Sequence, residues 1–146
     1  MGNRMREIRY VEWADYDDWA SMVRDYDSDI PDPDVAWTRF FTLGTDLRCF
    51  VAVEDQQLVG FVNFFPHQTP FNTGQICYLA NLYVKPEFRR RGIARALVNE
   101  VIEKAVAMNW LRVYWVTENE NPARALYDSY AESDYVRYHI NLKGFV

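Results

Sequence analysis

The chain has little of what several common chemistries require. Among its 146 residues there are two cysteines and two histidines. Cys49 and Cys77 each sit inside an apolar, strand-like run, while His67 and His139 stand isolated, with no Cys-x-x-Cys and no metal-ligand spacing. A resident metal is therefore not expected. Cysteines of this kind read as buried free thiols, which points to a cytoplasmic home. No apolar run approaches the length of a membrane helix, and the first residues carry no signal-peptide pattern. Internal repeats and low-complexity segments are also missing. A net charge of −5 argues against nucleic acid as the main partner. What the chain has in quantity is apolar surface: 49% hydrophobic and 16% aromatic residues, enough for one globular domain over residues 1–146 to bury a core.

Periodicity orders the elements. Arg6 to Val11 reads as a strand, and Asp15 as the N-cap of a helix from Tyr16 to Tyr26 with Trp19, Met22 and Val23 on one face. An acidic, proline-broken loop follows, then a short helix ending near Gly44. Cys49 to Glu54 and Gln57 to Phe65 flank a tight Asp55-Gln56 turn and form a hairpin. Pro66 through Gly74 reads as a connection. Ile76 to Val84 is apolar on both alternating faces and belongs at the centre of the sheet. A long helix, a strand from Leu111 to Val116, a helix from Pro122 to Ala131 and a last strand from Tyr135 to Leu142 complete the chain. The expected architecture is α/β: a mixed sheet flanked by helices in the order β-α-α-β-β-β-α-β-α-β.

The stretch from Tyr78 to Ala107 is the most informative. A strand ends at Pro86, passes through the basic turn Arg89-Arg90-Arg91-Gly92, and becomes a helix with Ile93, Leu97 and Val101 on one stripe and Ala94, Val98, Ile102 and Ala105 beside it. A helix start has unpaired N–H groups and the positive end of the macrodipole. Ringed by arginines, such a start suits a phosphate, and Gly92 would let the backbone approach it closely. Read on charge alone, the same arginines also fit a solvated turn or a small nucleic-acid patch, the reading ranked last.

Arg89-x-x-Gly92-x-Ala94, preceded by Leu82-Tyr-Val-Lys-Pro86, resembles the acyl-CoA pyrophosphate loop of the GNAT superfamily of N-acyltransferases. The resemblance covers nearly the whole chain. It implies acetyl-CoA as cofactor, its pyrophosphate held by Arg89, Arg90, Arg91, Gly92, Ile93, Ala94 and Arg95. Pantetheine would lie along Leu82, Tyr83 and Val84 like an added strand. The run from Trp115 to Tyr127 resembles the family's second CoA motif. By that likeness Tyr127 protonates the leaving thiolate, a role suited to a phenol that stays protonated at neutral pH. Glu120 stands where the family's asparagine usually lies. Asn121, beside it, is the residue assigned to the cofactor, with Asn119 flanking on the other side.

A second departure concerns the acceptor. Amine-acetylating relatives read Tyr-Leu-Glu-Asp-Leu, where this chain reads Tyr78-Leu-Ala80-Asn81-Leu82, so the carboxylate that helps deprotonate the substrate is missing. Glu118 and His67 are candidates to receive the proton through water. The region from Trp13 to Asp34 is rich in carboxylates among aromatics, which would attract a cationic amine or equally serve as a solvated surface. The resulting expectation is an N-acetyltransferase acting by direct attack of a primary amine (a small cationic amine, an amino acid or a basic peptide) in a ternary complex. The alternative is a non-catalytic acyl-CoA-binding module with a degenerate active site. Relatives of this family often dimerise, and the closing strand would offer an edge for a homodimer.

Overall fold

The structure is a computed structural model that describes residues 5–143. It divides into two compact units, Met1–Tyr114 and Trp115–Val146. The first holds a five-stranded sheet in sequence order: β1 (Arg6–Tyr10), β2 (Arg48–Glu54), β3 (Gln57–Thr69), β4 (Asn72–Val84) and β5 (Val113–Tyr114). Helices α1 (Tyr16–Tyr26) and α2 (Asp34–Phe40) follow β1, and α3 (Ile93–Ala107) links β4 to β5. The first four strands are antiparallel, whereas β4 and β5 are parallel, as a helical connection requires.

Alternation along the strands divides the core into two layers. Cys49, Val51, Phe61 and Tyr83 join Trp19, Met22, Val23 and Trp37 in one buried cluster under α1 and α2. The residues between them, Phe50, Ala52, Val62 and Phe64, face the other side, where α3 contributes Ile93, Leu97, Val98 and Val101. Each of these aliphatic side chains is 0 or 1% exposed, so each contributes about 1.5–3 kcal/mol of burial. Gly60 keeps β3 and β4 in register here: a Cβ on it would lie 2.7 Å from the Tyr83 carbonyl oxygen. The Asp55-Gln56 turn has φ of +50° and +68°, the primed turn that matches strand twist in a two-residue hairpin.

Several expectations need correction. Asp15 does not cap α1 with its side chain; its carboxylate accepts the Glu12 amide at 2.7 Å and two Arg9 guanidinium bonds at 2.7 and 3.0 Å. The second helix stops at Phe40, short of Gly44. β3 runs through Pro66 to Thr69, because β2 has already ended opposite Phe64 and the proline's missing N–H has no neighbour to disappoint. The sheet centre is β3 rather than β4. β5 shrinks to two paired residues, Cys77↔Val113 and Tyr78↔Tyr114. Ile102 is at the solvent side of α3.

The second unit contains α4 (Arg124–Asp128), shorter than the helix expected over Pro122 to Ala131. The tenth element, the strand at Tyr135 to Leu142, is not formed. That segment makes no ladder among the described residues, and Tyr135, Val136, Tyr138, Ile140 and Leu142 are each more than three-quarters exposed. Its alternating pattern is genuine, but a strand exists only through a partner.

Candidate active site

The site is organised by the way β4 ends. Asn63 pairs with Asn81 and Phe64 with Leu79, which leaves Ala80 as an extra, bulged residue. Pairing with β5 stops one residue earlier, at Tyr78. From Leu79 to Val84 the edge of β4 that faces away from β3 therefore has no strand beside it among the described residues. Leu82, Tyr83 and Val84 lie on this open edge, which can accept an extended ligand arm as a strand accepts a neighbour. The Tyr83 ring itself belongs to the core, so only its backbone can serve that purpose.

Beyond Val84 the chain turns through a short 3-10 segment, Pro86–Phe88, with proline in its first turn. Arg89 folds back: its Nε donates to the Val84 carbonyl at 2.9 Å and its guanidinium lies 5.7 Å from the Tyr83 ring centre. Arg91 stacks over Phe88 at 5.0 Å, and its carbonyl accepts Arg6 Nη2 at 3.0 Å. Arg90 has φ of +64° and an exposed side chain, and Gly92 has φ of +81° at the N-cap of α3. Left-handed residues in such a turn curl the backbone so that amides converge, and the first turn of α3, from Ile93 and Ala94 onward, adds amides without intrahelical acceptors. Ile93's side chain is buried under the sheet, leaving its amide alone for a ligand; Arg95 is exposed. A Cβ at Gly92 would meet only Arg6 Nη1, at 4.0 Å, so the left-handed φ rather than crowding within the protein selects glycine. The turn's donor set of backbone amides and guanidinium groups fits a pyrophosphate.

The face of β3 and β4 under α1 carries the other half of the first unit's polar chemistry. Asn63 Nδ2 donates to Asn81 Oδ1 at 3.0 Å, and Asn81 Nδ2 donates to the Tyr26 hydroxyl at 3.2 Å, linking the sheet to the end of α1. Further along the same face lie Phe65, Tyr78, Tyr114 and His67, all half-buried. Tyr78 packs on Phe65 at 5.6 Å and on Tyr114 at 5.1 Å. His67 Nε2 is 2.7 Å from the Tyr114 hydroxyl, and Nδ1 is 2.8 Å from the Gln68 carbonyl. Burial first, then the neighbouring Tyr78 and Cys77, raises the Tyr114 phenol above its ordinary range. Sequence reasoning named His67 as a proton acceptor but missed its partner Tyr114, because His67 joins the face of Phe61, Asn63 and Phe65 only once β3 is carried through Pro66.

Much of the acidic segment proves structural. Asp15 is tied to Arg9, Asp34 accepts the Tyr16 hydroxyl at 2.6 Å, and Asp27 and Asp32 cap the amides of Asp29 and Asp34. Burial pushes the Cys77 thiol up to about 11 against the lowering influence of Arg48, and it raises Cys49 as well, so neither is a nucleophile at neutral pH.

Within the second unit, Asn121 is held in its own turn: Oδ1 accepts the Ala123 amide at 2.9 Å and Nδ2 donates to Thr117 Oγ1 at 2.7 Å. Arg124 reaches back to the Asn119 carbonyl at 3.1 Å. Both ends of the Asn121 carboxamide thus shape the entry to α4. Tyr127 is half-buried on α4, its ring edge-on to Trp115 at 5.4 Å. Glu118 and Glu120 are exposed.

A mixed sheet with an open strand edge leading into an arginine-lined helix start defines an α/β protein for ligands that combine an extended arm with phosphates. More narrowly, the chain belongs to the acetyltransferase (GNAT) family, whose family model matches residues 5–131, and it is an N-acetyltransferase. It is 27% identical over 144 residues to the D-amino-acid N-acetyltransferase HPA3 of Saccharomyces cerevisiae, covering 92% of this chain and 89% of the relative. The fold is similar to that of ribosomal-protein-alanine N-acetyltransferase from Brucella melitensis biovar Abortus 2308, with a TM-score of 0.81 at 24% identity over 94% of this chain and 99% of that one. It is also similar to aminoglycoside N-acetyltransferase AAC(6')-Iy in complex with CoA, with a TM-score of 0.82 at 19% identity over 99% and 98% of the two chains.

Proposed function

We propose that the chain transfers an acetyl group from acetyl-CoA to a primary amine by direct attack in a ternary complex. The observation that carries this reading is the continuity of an open β4 edge with the left-handed, basic turn that starts α3. In it, Arg90, Arg91, Arg95 and the amides of Gly92, Ile93 and Ala94 hold the pyrophosphate, and Arg89 fixes the strand end that leads there. Leu82, Tyr83 and Val84 hold the pantetheine arm through their backbone, and one of these amides polarises the acyl carbonyl. Bound acetyl-CoA supplies an activated acyl group. An oxyanion donor of this kind is typically worth about 2.7–4 kcal/mol. Tyr127 holds the proton for the departing sulfur, and Asn121 orders the turn before it. The family match runs from residue 5 to residue 131, across the division between the two units, which supports one catalytic domain.

The acceptor in this reading is a small amine or amino acid, cationic in solution, drawn by the exposed carboxylates Asp17, Asp18, Asp25 and Asp29. That the relatives above act on D-amino acids and on a ribosomal protein's alanine supports an amine, not a particular one. We assign the protein to the cytoplasm on its buried free thiols, and no helix among the described residues is long and apolar enough to cross a membrane. The exposed apolar alternation from Tyr135 to Leu142 supports a homodimer in which this segment gains a strand partner; sedimentation should give twice the chain mass at micromolar concentration, and a monomer there would refute it.

The decisive test is calorimetric titration with acetyl-CoA. Saturable binding should weaken about 10- to 100-fold when Arg90 and Arg91 are both changed to alanine, the cost of losing charge-assisted phosphate contacts. A panel of amines with thiol detection then finds the acceptor. No binding of acetyl-CoA, free CoA or longer acyl-CoAs would overturn the reading.

A further inference from the structure

The geometry points to His67 as the proton acceptor for the incoming amine, reached through the Tyr114 hydroxyl. This rests on the amine-acetylating reading above and supplies the base that Ala80 cannot. The Gln68 carbonyl can only accept a hydrogen bond, so the Nδ1 that lies 2.8 Å from it carries the ring proton. In the neutral ring, Nε2 is then left with its lone pair, and the Tyr114 hydroxyl 2.7 Å away donates to it. A fixed acceptor on one nitrogen thus points a basic nitrogen at a hydroxyl, the arrangement that sets the tautomer in histidine-dependent hydrolases.

Its location is equally specific. Tyr114 is the last residue of β5, paired with Tyr78, and the open edge of β4 begins at Leu79. The pair therefore stands at the start of the edge assigned to the acyl arm. Ala80, bulged and small, leaves no carboxylate there. The titratable group against His67 is Tyr114 from β5, and those around Tyr114 in turn are Tyr78 and Cys77 from β4. Among the described residues no ion pair involves any of these groups.

The step balances without a co-reactant. An ammonium N–H bond breaks as its proton passes to the Tyr114 oxygen, while the Tyr114 proton passes to His67 Nε2. A neutral amine, a neutral phenol and an imidazolium result, and the imidazolium later returns its proton to solvent. Such an acceptor matters because an alkyl ammonium with a pKa of about 10.4 is neutral in only about one molecule in a few thousand at pH 7. Histidine is the side chain that most often serves as a general base.

Two measurements test the assignment. Nitrogen NMR of the free protein, with the two histidines distinguished by the His67→Gln variant, should show His67 protonated at Nδ1 when neutral, and its titration should move in Tyr114→Phe. A ring protonated at Nε2 instead overturns the proposal, whatever the acceptor is. With a lysine-like alkyl amine found by thiol release, His67→Gln should lower kcat/KM at pH 7 about 100-fold and move the acidic limb of the pH profile upward. Trifluoroethylamine, which is already neutral at that pH, should lose less than threefold. Equal losses for both amines with an unmoved profile overturn it; Tyr114→Phe serves as the second variant if His67→Gln does not fold. Failure of acetyl-CoA to bind would instead refute the acyltransfer reading, leaving the NMR result to stand by itself.

Discussion

The two ends of the open β4 edge are built from different materials. In the proposed function, recognition at the Val84 end comes from backbone: a strand edge, a left-handed turn and the first amides of α3, with arginines arranged around them. At the Tyr78 end it comes from side chains gathered from three strands and one helix, Asn63, Phe65 and His67 from β3, Tyr78 and Asn81 from β4, Tyr114 from β5 and Tyr26 from α1. The first end suits a ligand common to a whole family, because backbone geometry tolerates changes of side chain. The second can change with the acceptor while the fold stays the same.

Tyr127 offers the sharpest way to separate chemistry from either end. Tyr127→Phe should lower kcat by about 100-fold or more, the usual share of a general acid, with acetyl-CoA affinity and acceptor KM unchanged. Steady-state kinetics beside calorimetry would check this. A variant that transfers to every tested amine at the parental rate would remove Tyr127 from the chemistry.

β1 supports both ends: Arg6 holds the Arg91 carbonyl, and Arg9 anchors the helix whose last residue, Tyr26, meets Asn81. Asp15, 8% exposed, joins β1 to the start of α1 through its paired bonds to Arg9. Burial alone would raise this carboxyl, but the Arg9 bonds, the Glu12 amide and the Arg9 charge outweigh it and hold it below the usual range. A carboxyl with a lowered folded-state pKa stabilises the fold above its unfolded value of about 3.9, and that contribution is lost as pH falls through the folded value. Asp15→Asn should therefore cost about 1.5–3 kcal/mol at pH 7, the share of charged hydrogen bonds to a half-buried Arg9 that keeps Glu12 at 3.9 Å and the Tyr10 carbonyl at 3.1 Å, and should flatten the acid limb of stability. Urea unfolding from pH 7 downward measures both. An acid limb unchanged in the variant would assign it to other carboxylates.

The same contrast explains what could be read in the sequence. The strand, turn and helix from Tyr78 to Ala107 follow from local signals, proline, glycine and helical periodicity, and the structure places them as expected. His67 could be named from the sequence as a proton acceptor, but its place on a strand face was hidden by Pro66, which reads as a break but lies past the end of β2, where no ladder bond is lost. The bulge at Ala80 has no signature of its own; it is visible only as a shift of register against β3. Asp15 looked like a cap because caps are local, whereas its partner Arg9 depends on how β1 meets α1. The strand expected at Tyr135 to Leu142 marks the opposite limit: alternation can specify two faces but cannot supply the neighbour that makes them a sheet.

Gly92 gives the smallest and most discriminating prediction for the backbone end. With φ of +81° and only Arg6 Nη1 near a new Cβ, Gly92→Ala should cost about 1–2 kcal/mol of stability from the left-handed backbone alone. If glycine is there only to allow the turn, acetyl-CoA affinity should change little once the folded fraction is accounted for. If a pyrophosphate lies against this backbone, the added methyl group should meet the ligand, and affinity should fall about tenfold beyond the stability cost. Thermal unfolding and calorimetry on one variant separate the two, because the open space around Gly92 leaves the left-handed backbone as the protein's own cost and no steric clash beside it. A tenfold fall would mark the backbone end as a surface shaped to its ligand. No fall would reduce it to a turn that charge alone makes attractive, and the arginines would then carry the recognition.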